Sequence, residues 1–205
     1  MWVIGVTGPA GSGKSTVCRI LARQPGFVHI DCDRLGWETY QPNGPAYAHL
    51  LARFGNEILA EDGSIDKKKL SKLVFSDPKA KADLEALVHP HIMAAVKEAL
   101  SRERGRGGKV ALVEGALLLV SPHVDRDLFD LFVWLSVPQE ERRARLRAAG
   151  VDEETIEHRF LAQANLTPPN LPNVLVIDGC GSAAEVACRV LHAIRTYLRT
   201  VPTNS

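Results

Sequence analysis

Five short apolar runs recur along the chain, at Trp2–Thr7, Phe27–Asp31, Lys109–Val113, Leu131–Leu135 and Val174–Ile177. They are rich in β-branched residues and do not alternate with polar positions, which is the pattern of strands buried on both faces of a parallel sheet. Between them the apolar positions change to helical spacing. Val17, Ile20 and Leu21 follow the first run, and Val186, Val190, Ile194 and Leu198 follow the last. This alternation predicts an α/β, doubly wound architecture: a five-stranded parallel sheet with helices on both faces. The interval between the second and third runs, residues 34–108, is far longer than one crossover helix requires. Leu70, Leu73 and Val74, then Leu84, Leu87, Val88, Ile92 and Val96, make it an inserted helical lobe, a natural place for a second substrate. Pro90 is expected to kink or restart the long helical pattern from Lys79 to Arg104. Pro138–Gly150 and Asp152–Gln163 read as two helices joined by a turn, and Thr200–Ser205 as a frayed end.

Composition narrows the class. In 205 residues, 25 basic side chains balance 24 acidic ones, so no general attraction to nucleic acid or to a membrane surface is expected. The longest apolar run, Val110–Val120, is interrupted by Glu114 and is too short to span a bilayer. Cys18, Cys32, Cys180 and Cys188 have no close paired spacing, which favours reduced thiols over a disulfide framework or a zinc site. The first strand begins at residue 2, leaving no room for a leader segment. The expectation is a cytoplasmic protein, monomeric or weakly self-associating.

The candidate chemistry begins at Gly8-Pro9-Ala10-Gly11-Ser12-Gly13-Lys14-Ser15-Thr16, between a predicted strand and a predicted helix. Gly8, Gly11 and Gly13 allow backbone conformations closed to residues with a Cβ, so successive N–H groups can converge on a phosphate. Ala10, Ser12 and Thr16 complete that cradle. Lys14 supplies a point charge for the β- and γ-phosphates, and the Ser15 hydroxyl is a ligand for Mg²⁺. The segment predicts a site for a nucleoside triphosphate.

Other candidates gather at the carboxyl ends of predicted strands, where open α/β sheets bind ligands. Asp31 and Asp33 end the second strand. Residues two apart share a face, so both carboxylates can enter the cleft while Val28, Ile30 and Cys32 pack. Asp33 is the candidate base or orienter of an attacking hydroxyl; the alternative is that it caps a helix beginning at Arg34. Glu114 ends the third strand, where a carboxylate can hold Mg²⁺-bound water. Arg142, Arg143, Arg145 and Arg147 crowd one predicted helix in two rows, Arg142/Arg145 and Arg143/Arg147, with Arg159 on the next. Such rows are ordinarily solvated, yet one or two of the five are expected to clamp the transferring phosphoryl group, and Arg143 stands as the candidate catalytic cation. His91 falls on the apolar stripe and is expected in the core, whereas His89 lies off it and is a candidate substrate contact.

Taken together, these segments resemble the dephospho-CoA kinase family over nearly the whole chain. The resemblance rests on Ile4-Gly5-Val6-Thr7-Gly8 with Gly11–Thr16, on Ile30-Asp31-Cys32-Asp33, on Gly44-Pro45-Ala46-Tyr47 and on Asp62-Gly63-Ser64-Ile65-Asp66. Its most specific piece is Leu84-Glu85 leading to His89-Pro90-His91-Ile92. Where the family usually has Asp-x-Pro-Leu-Leu, this chain has Glu114-Gly115-Ala116-Leu117-Leu118, and Arg159 with Gln163 keeps an Arg-x-x-x-Gln spacing. The resemblance implies ATP and Mg²⁺, dephospho-CoA as acceptor, and assistance to a ribose hydroxyl by Asp33. It also implies one domain: a core of residues 1–36, 109–138 and 166–205, an acceptor-binding insertion of about 37–108, and a lid of about 139–165. The alternatives are a kinase of another small alcohol, such as shikimate or gluconate, and a divergent nucleotide sensor without turnover.

Overall fold

The computed structural model describes residues 1–200, so the tail predicted to fray lies, beyond Thr200, outside the described residues. In chain order the elements are β1 (Trp2–Thr7), α1 (Lys14–Leu21), β2 (Phe27–Asp31), α2 (Cys32–Thr39), α3 (Tyr47–Phe54), α4 (Lys67–Ser76) and α5 (Pro78–Gly105). Then come β3 (Val110–Glu114), β4 (Leu131–Ser136), α6 (Gln139–Ala148), α7 (Glu153–Ala162), β5 (Val174–Asp178) and α8 (Ala183–Thr200). All five strands are parallel, in the order β2-β3-β1-β4-β5.

Each face of the sheet builds a core. Val3, Ala111, Val113, Phe132 and Trp134 pack on Met93, Val96, Ala99 and Leu100 of α5. On the other face Ile4, Val6, Leu112, Leu131 and Val133 meet Val17 and Leu21 of α1 and Val190 and Ile194 of α8. The expectation of strands covered on both faces holds for β1, β3 and β4. The edge strands β2 and β5 are only partly buried, and Val176 is 54% exposed.

The inserted stretch has its own core, built from Leu50, Phe54, Ile58, Ile65, Leu70, Ala80 and Val88. Asp66 and Asp77 cap α4 and α5, and Pro78 opens α5 where its missing N–H costs nothing. The restart expected at Pro90 does not occur. α5 runs unbroken for 28 residues, about 42 Å at 1.5 Å per residue. Its first half (Ala80, Val88) packs in the lobe and its second half (Met93–Leu100) on the sheet, with Pro90 exposed where one environment gives way to the other. Tertiary packing on both sides outweighs the cost of one lost helical hydrogen bond.

Candidate active site

In this strand order β1 connects to β2 across β3, while β3 connects to β4 across β1. The connections leave in opposite directions, which opens a crevice at the carboxyl ends of β1 and β3. The register places Val6 beside Glu114 and Asp31 beside Glu114, so the ends of three strands line up there. A cleft of about 760 Å³ occupies the crevice, and it is lined by the loop from Ala10 to Thr16 and by Asp33, His89 and Glu114.

The loop takes the backbone its glycines permit. Gly8, Gly11 and Gly13 have φ of +136°, +80° and +91°. Gly13 caps α1 in the left-handed conformation without a side-chain partner, so the first N–H groups of α1 are open to an anion. Lys14 Nζ folds back on the carbonyls of Gly8 (2.9 Å) and Pro9 (3.1 Å). Burial pulls its ammonium below the ordinary lysine value, and the carboxylates of Glu114 and Asp33 oppose that pull.

Glu114 is 4% exposed at the end of β3, and both of its oxygens are engaged. Ser15 Oγ donates to Oε1, and His29 Nε2 lies 2.8 Å from Oε2. Burial pushes this carboxyl up, but the hydrogen bonds from His29 and Ser15, with the charges of His29 and Lys14, prevail and hold it below the ordinary glutamate value.

The two aspartates of β2 separate in role. α2 begins at Cys32, so Asp31 is the capping residue, its Oδ1 accepting from Arg34 N at 3.0 Å. Asp33 sits in the first turn of α2 and faces the cleft. Its residue surface remains open to solvent at the cleft mouth, yet the surrounding protein desolvates the carboxyl. That desolvation, then the Asp31 charge, raises its pKa against the pull of Lys14 and Arg159. The capping role thus falls to Asp31, which does not line the cleft.

The two helices expected from Pro138 to Gln163, α6 and α7, pack against the loop. Leu146, Ile156 and Phe160 enclose a small core into which Ala10 inserts. Ala10 N donates to Gln163 Oε1 at 2.7 Å, while Arg142 reaches the Ala10 carbonyl at 3.3 Å. Arg145 contacts the carbonyls of Ser12 (3.4 Å) and Gly179 (2.8 Å). Arg145, Arg159 and Gln163 line the cleft. Arg143 does not: its guanidinium pairs with Glu153 and Glu157 and lies over the Phe160 ring. Helical position decides this, because at three- and four-residue spacing Arg142 and Arg145 share the loop-facing side.

His89 reaches the cleft from α5, with Nδ1 3.0 Å from Ser121 Oγ and its ring edge-on to His123. Burial, with some help from His123, lowers its pKa and keeps the imidazole neutral at pH 7. His91, expected in the core, is only half-buried and stacks on the exposed His49 at 6.4 Å, a position at the lobe surface. Sequence reasoning missed His29. The signal was present, since His29 lies two residues before Asp31 and therefore on the same face of β2.

A glycine loop feeding a helix N-terminus, a lysine at its end, and carboxylates at the adjoining strand ends define a phosphate-loop kinase. Solved structures share the fold. The protein TT1252 from Thermus thermophilus superimposes with a TM-score of 0.73 at 29% identity, covering 96% of this chain and 97% of that one. A gluconokinase from Sinorhizobium meliloti gives 0.54 at 18% identity, covering 98% of each chain, a likeness of fold alone. Residues 2–183 match the family model "CoaE: Dephospho-CoA kinase", and the chain belongs to that family. A dephospho-CoA kinase from Geobacter sulfurreducens is 36% identical over 93% of this chain and 95% of its own length.

Proposed function

We propose that this protein transfers the γ-phosphoryl group of ATP to the ribose 3′-hydroxyl of dephospho-CoA, giving coenzyme A and ADP. One observation carries the reading beyond family membership. The phosphate loop, Asp33 and Glu114 line a single cleft, together with His89 from the inserted lobe. The N–H groups of the loop and of the α1 N-terminus bind the β-phosphate. Lys14 exchanges its two carbonyl partners for phosphate oxygens. Ser15 and Glu114 offer adjacent hard oxygen donors, the set that suits Mg²⁺, and they are the residues that would hold it. A Mg²⁺ ion held by these two residues would supply charge neutralisation for the phosphates.

Asp33, with its raised pKa and its place on the cleft wall, accepts the hydroxyl proton as the acceptor attacks. Arg145 and Arg159, which face the cleft, stabilise charge on the transferring group in place of Arg143. His89, neutral and anchored by Ser121, contacts the acceptor, and Asp31 fixes the turn that aims Asp33. The reading also carries a monomer or weak homo-oligomer and a cytoplasmic setting, and among the described residues no helix is long and apolar enough to cross a membrane.

The test is ADP release measured with dephospho-CoA, with shikimate and with no acceptor. Turnover is expected only with dephospho-CoA, at Mg²⁺ concentrations that saturate ATP. Equal release without an acceptor, or with shikimate alone, overturns the assignment.

A further inference from the structure

We propose that His29 is a positioning residue for phosphoryl transfer: by holding Oε2 of Glu114, it keeps Oε1 of the same carboxylate aimed at the Ser15 hydroxyl. The inference rests on the reading of Ser15 and Glu114 as the cation side of the nucleotide site.

Three observations carry it. First, strand register brings the partners together. Asp31 is level with Glu114 across the β2–β3 pair, and His29 lies two residues back on the same face of β2, the face covered by α1. Second, the two contacts are divided between the two carboxylate oxygens: Ser15 takes Oε1 and His29 takes Oε2. A glutamate has one more torsion than an aspartate. A partner at only one oxygen would leave the carboxylate free to rotate toward the nearby Lys14 charge, whereas partners at both oxygens give it one orientation. Third, Glu114 is 4% exposed, so water cannot replace a lost partner at low cost.

With Nε2 2.8 Å from a carboxylate oxygen, which can only accept, Nε2 is the donor of this contact. Cys18 completes the neighbourhood. Its sulfur and the His29 and Glu114 donor atoms lie within 4.8 Å of one another, a spacing that also suits a thiophilic cation. Cys18 belongs to α1 itself and is fully buried between that helix and the sheet, among Ile4, Val6 and Leu112, as a packing group. That leaves the carboxylate to His29 and Ser15.

The experiment follows ADP binding by calorimetry across a Mg²⁺ series, in the wild type and in His29→Val, His29→Gln and Glu114→Gln. Melting of the nucleotide-free protein checks each fold. Residues that orient metal ligands typically change affinity about 10- to 100-fold, so His29→Val is expected to raise the Mg²⁺ needed for half-maximal tightening by roughly tenfold or more. ADP affinity without Mg²⁺ stays at the wild-type value. His29→Gln keeps a side-chain N–H and is expected to fall between the two; if His29→Val fails to fold, His29→Gln against wild type decides. A His29→Val requirement within about twofold of wild type, well below the 10-fold typical of such residues, overturns the inference if Glu114→Gln shifts it. Equal weakening with and without Mg²⁺ also overturns it, because that marks a damaged pocket. If Glu114→Gln moves nothing either, the underlying assignment of Glu114 to the cation fails, a distinct result.

Discussion

At Asp33, a single residue shows what a strand-end motif states and what it leaves open. Two carboxylates flank Cys32, and spacing alone does not say which caps the helix. The chain enters α2 two residues earlier than the capping alternative required, so Asp31 becomes the cap and Asp33 is free for the cleft. Asp33→Asn keeps the size but cannot take a proton. Its kcat is expected to fall at least about tenfold, near the low end of general-base effects, with ATP affinity near normal by calorimetry. The pH dependence follows from the raised pKa. In the wild type kcat declines as pH falls through an inflection above the ordinary aspartate value, and that limb disappears in the asparagine variant. Stability has a definite sign. The folded state holds this proton more tightly than the unfolded one, so the stability it contributes is present in acid and is lost as pH rises through the folded-state pKa. Asp33→Asn should therefore not melt early at neutral pH; early melting with normal turnover would return Asp33 to a structural role. Lys14→Ala tests the opposite wall of the cleft, with a loss of about 10²–10³ in rate expected from removing one preorganised charge. These residues could be nominated from the sequence because they sit in contiguous motifs, and the structure brings both to the cleft wall. His29 was not singled out, because its meaning depends on a glutamate 85 positions away.

Elements raise a different kind of ambiguity: what packs against what. The five strands were readable from unbroken apolar runs, and their predicted bounds differ from the observed ones by a residue or less at each end. The path of α5 through Pro90 was not readable, because the packing that stabilises it comes from two different cores. The lid arginines were equally opaque. A row of four on one helix looks uniform until the loop takes up one side of it, leaving Arg143 to Glu153 and Glu157. The loop–lid contact makes a prediction of its own. Gly11 and Gly13 are both left-handed, at φ +80° and +91°, so an alanine at either pays conformational strain of roughly 1 kcal/mol. At Gly13 an added Cβ would meet only the tip of the Arg145 side chain, at 3.5 Å. At Gly11 it would lie 2.6 Å from the Arg142 backbone carbonyl, which cannot yield without moving α6. Gly11→Ala should therefore lower the melting temperature of the nucleotide-free protein clearly more than Gly13→Ala does. Equal shifts would mean that the lid does not bear on the loop in solution.

Over the whole molecule, the sheet, the lobe and the α6–α7 pair have separate cores, joined chiefly by α5 and by Ala10. The length of the interval between β2 and β3 made an inserted lobe legible. The division of α5 between lobe and sheet was not, since apolar residues on a continuous helical stripe carry no label for the core they enter. Ile92 packs against both, at the point of changeover. Under the proposed function, in which the lobe receives the acceptor, this arrangement lets that side loosen without disturbing the nucleotide side, and Leu50 is the place to test it. Leu50 is fully buried in the lobe core and does not contribute to the cores flanking the sheet. Leu50→Ala leaves a cavity worth about 2–5 kcal/mol where surroundings do not collapse, a loss confined at first to the lobe. The expected result is faster amide exchange in α3, α4 and the first half of α5, with β1, β3 and β4 unchanged. The KM for dephospho-CoA should rise several-fold while Mg²⁺-ATP affinity holds, because the phosphate loop packs on α6 and α7 and takes no part in the lobe core. Uniform acceleration of exchange across sheet and lobe together would show one cooperative unit, and the acceptor and nucleotide sites would then have to weaken in step.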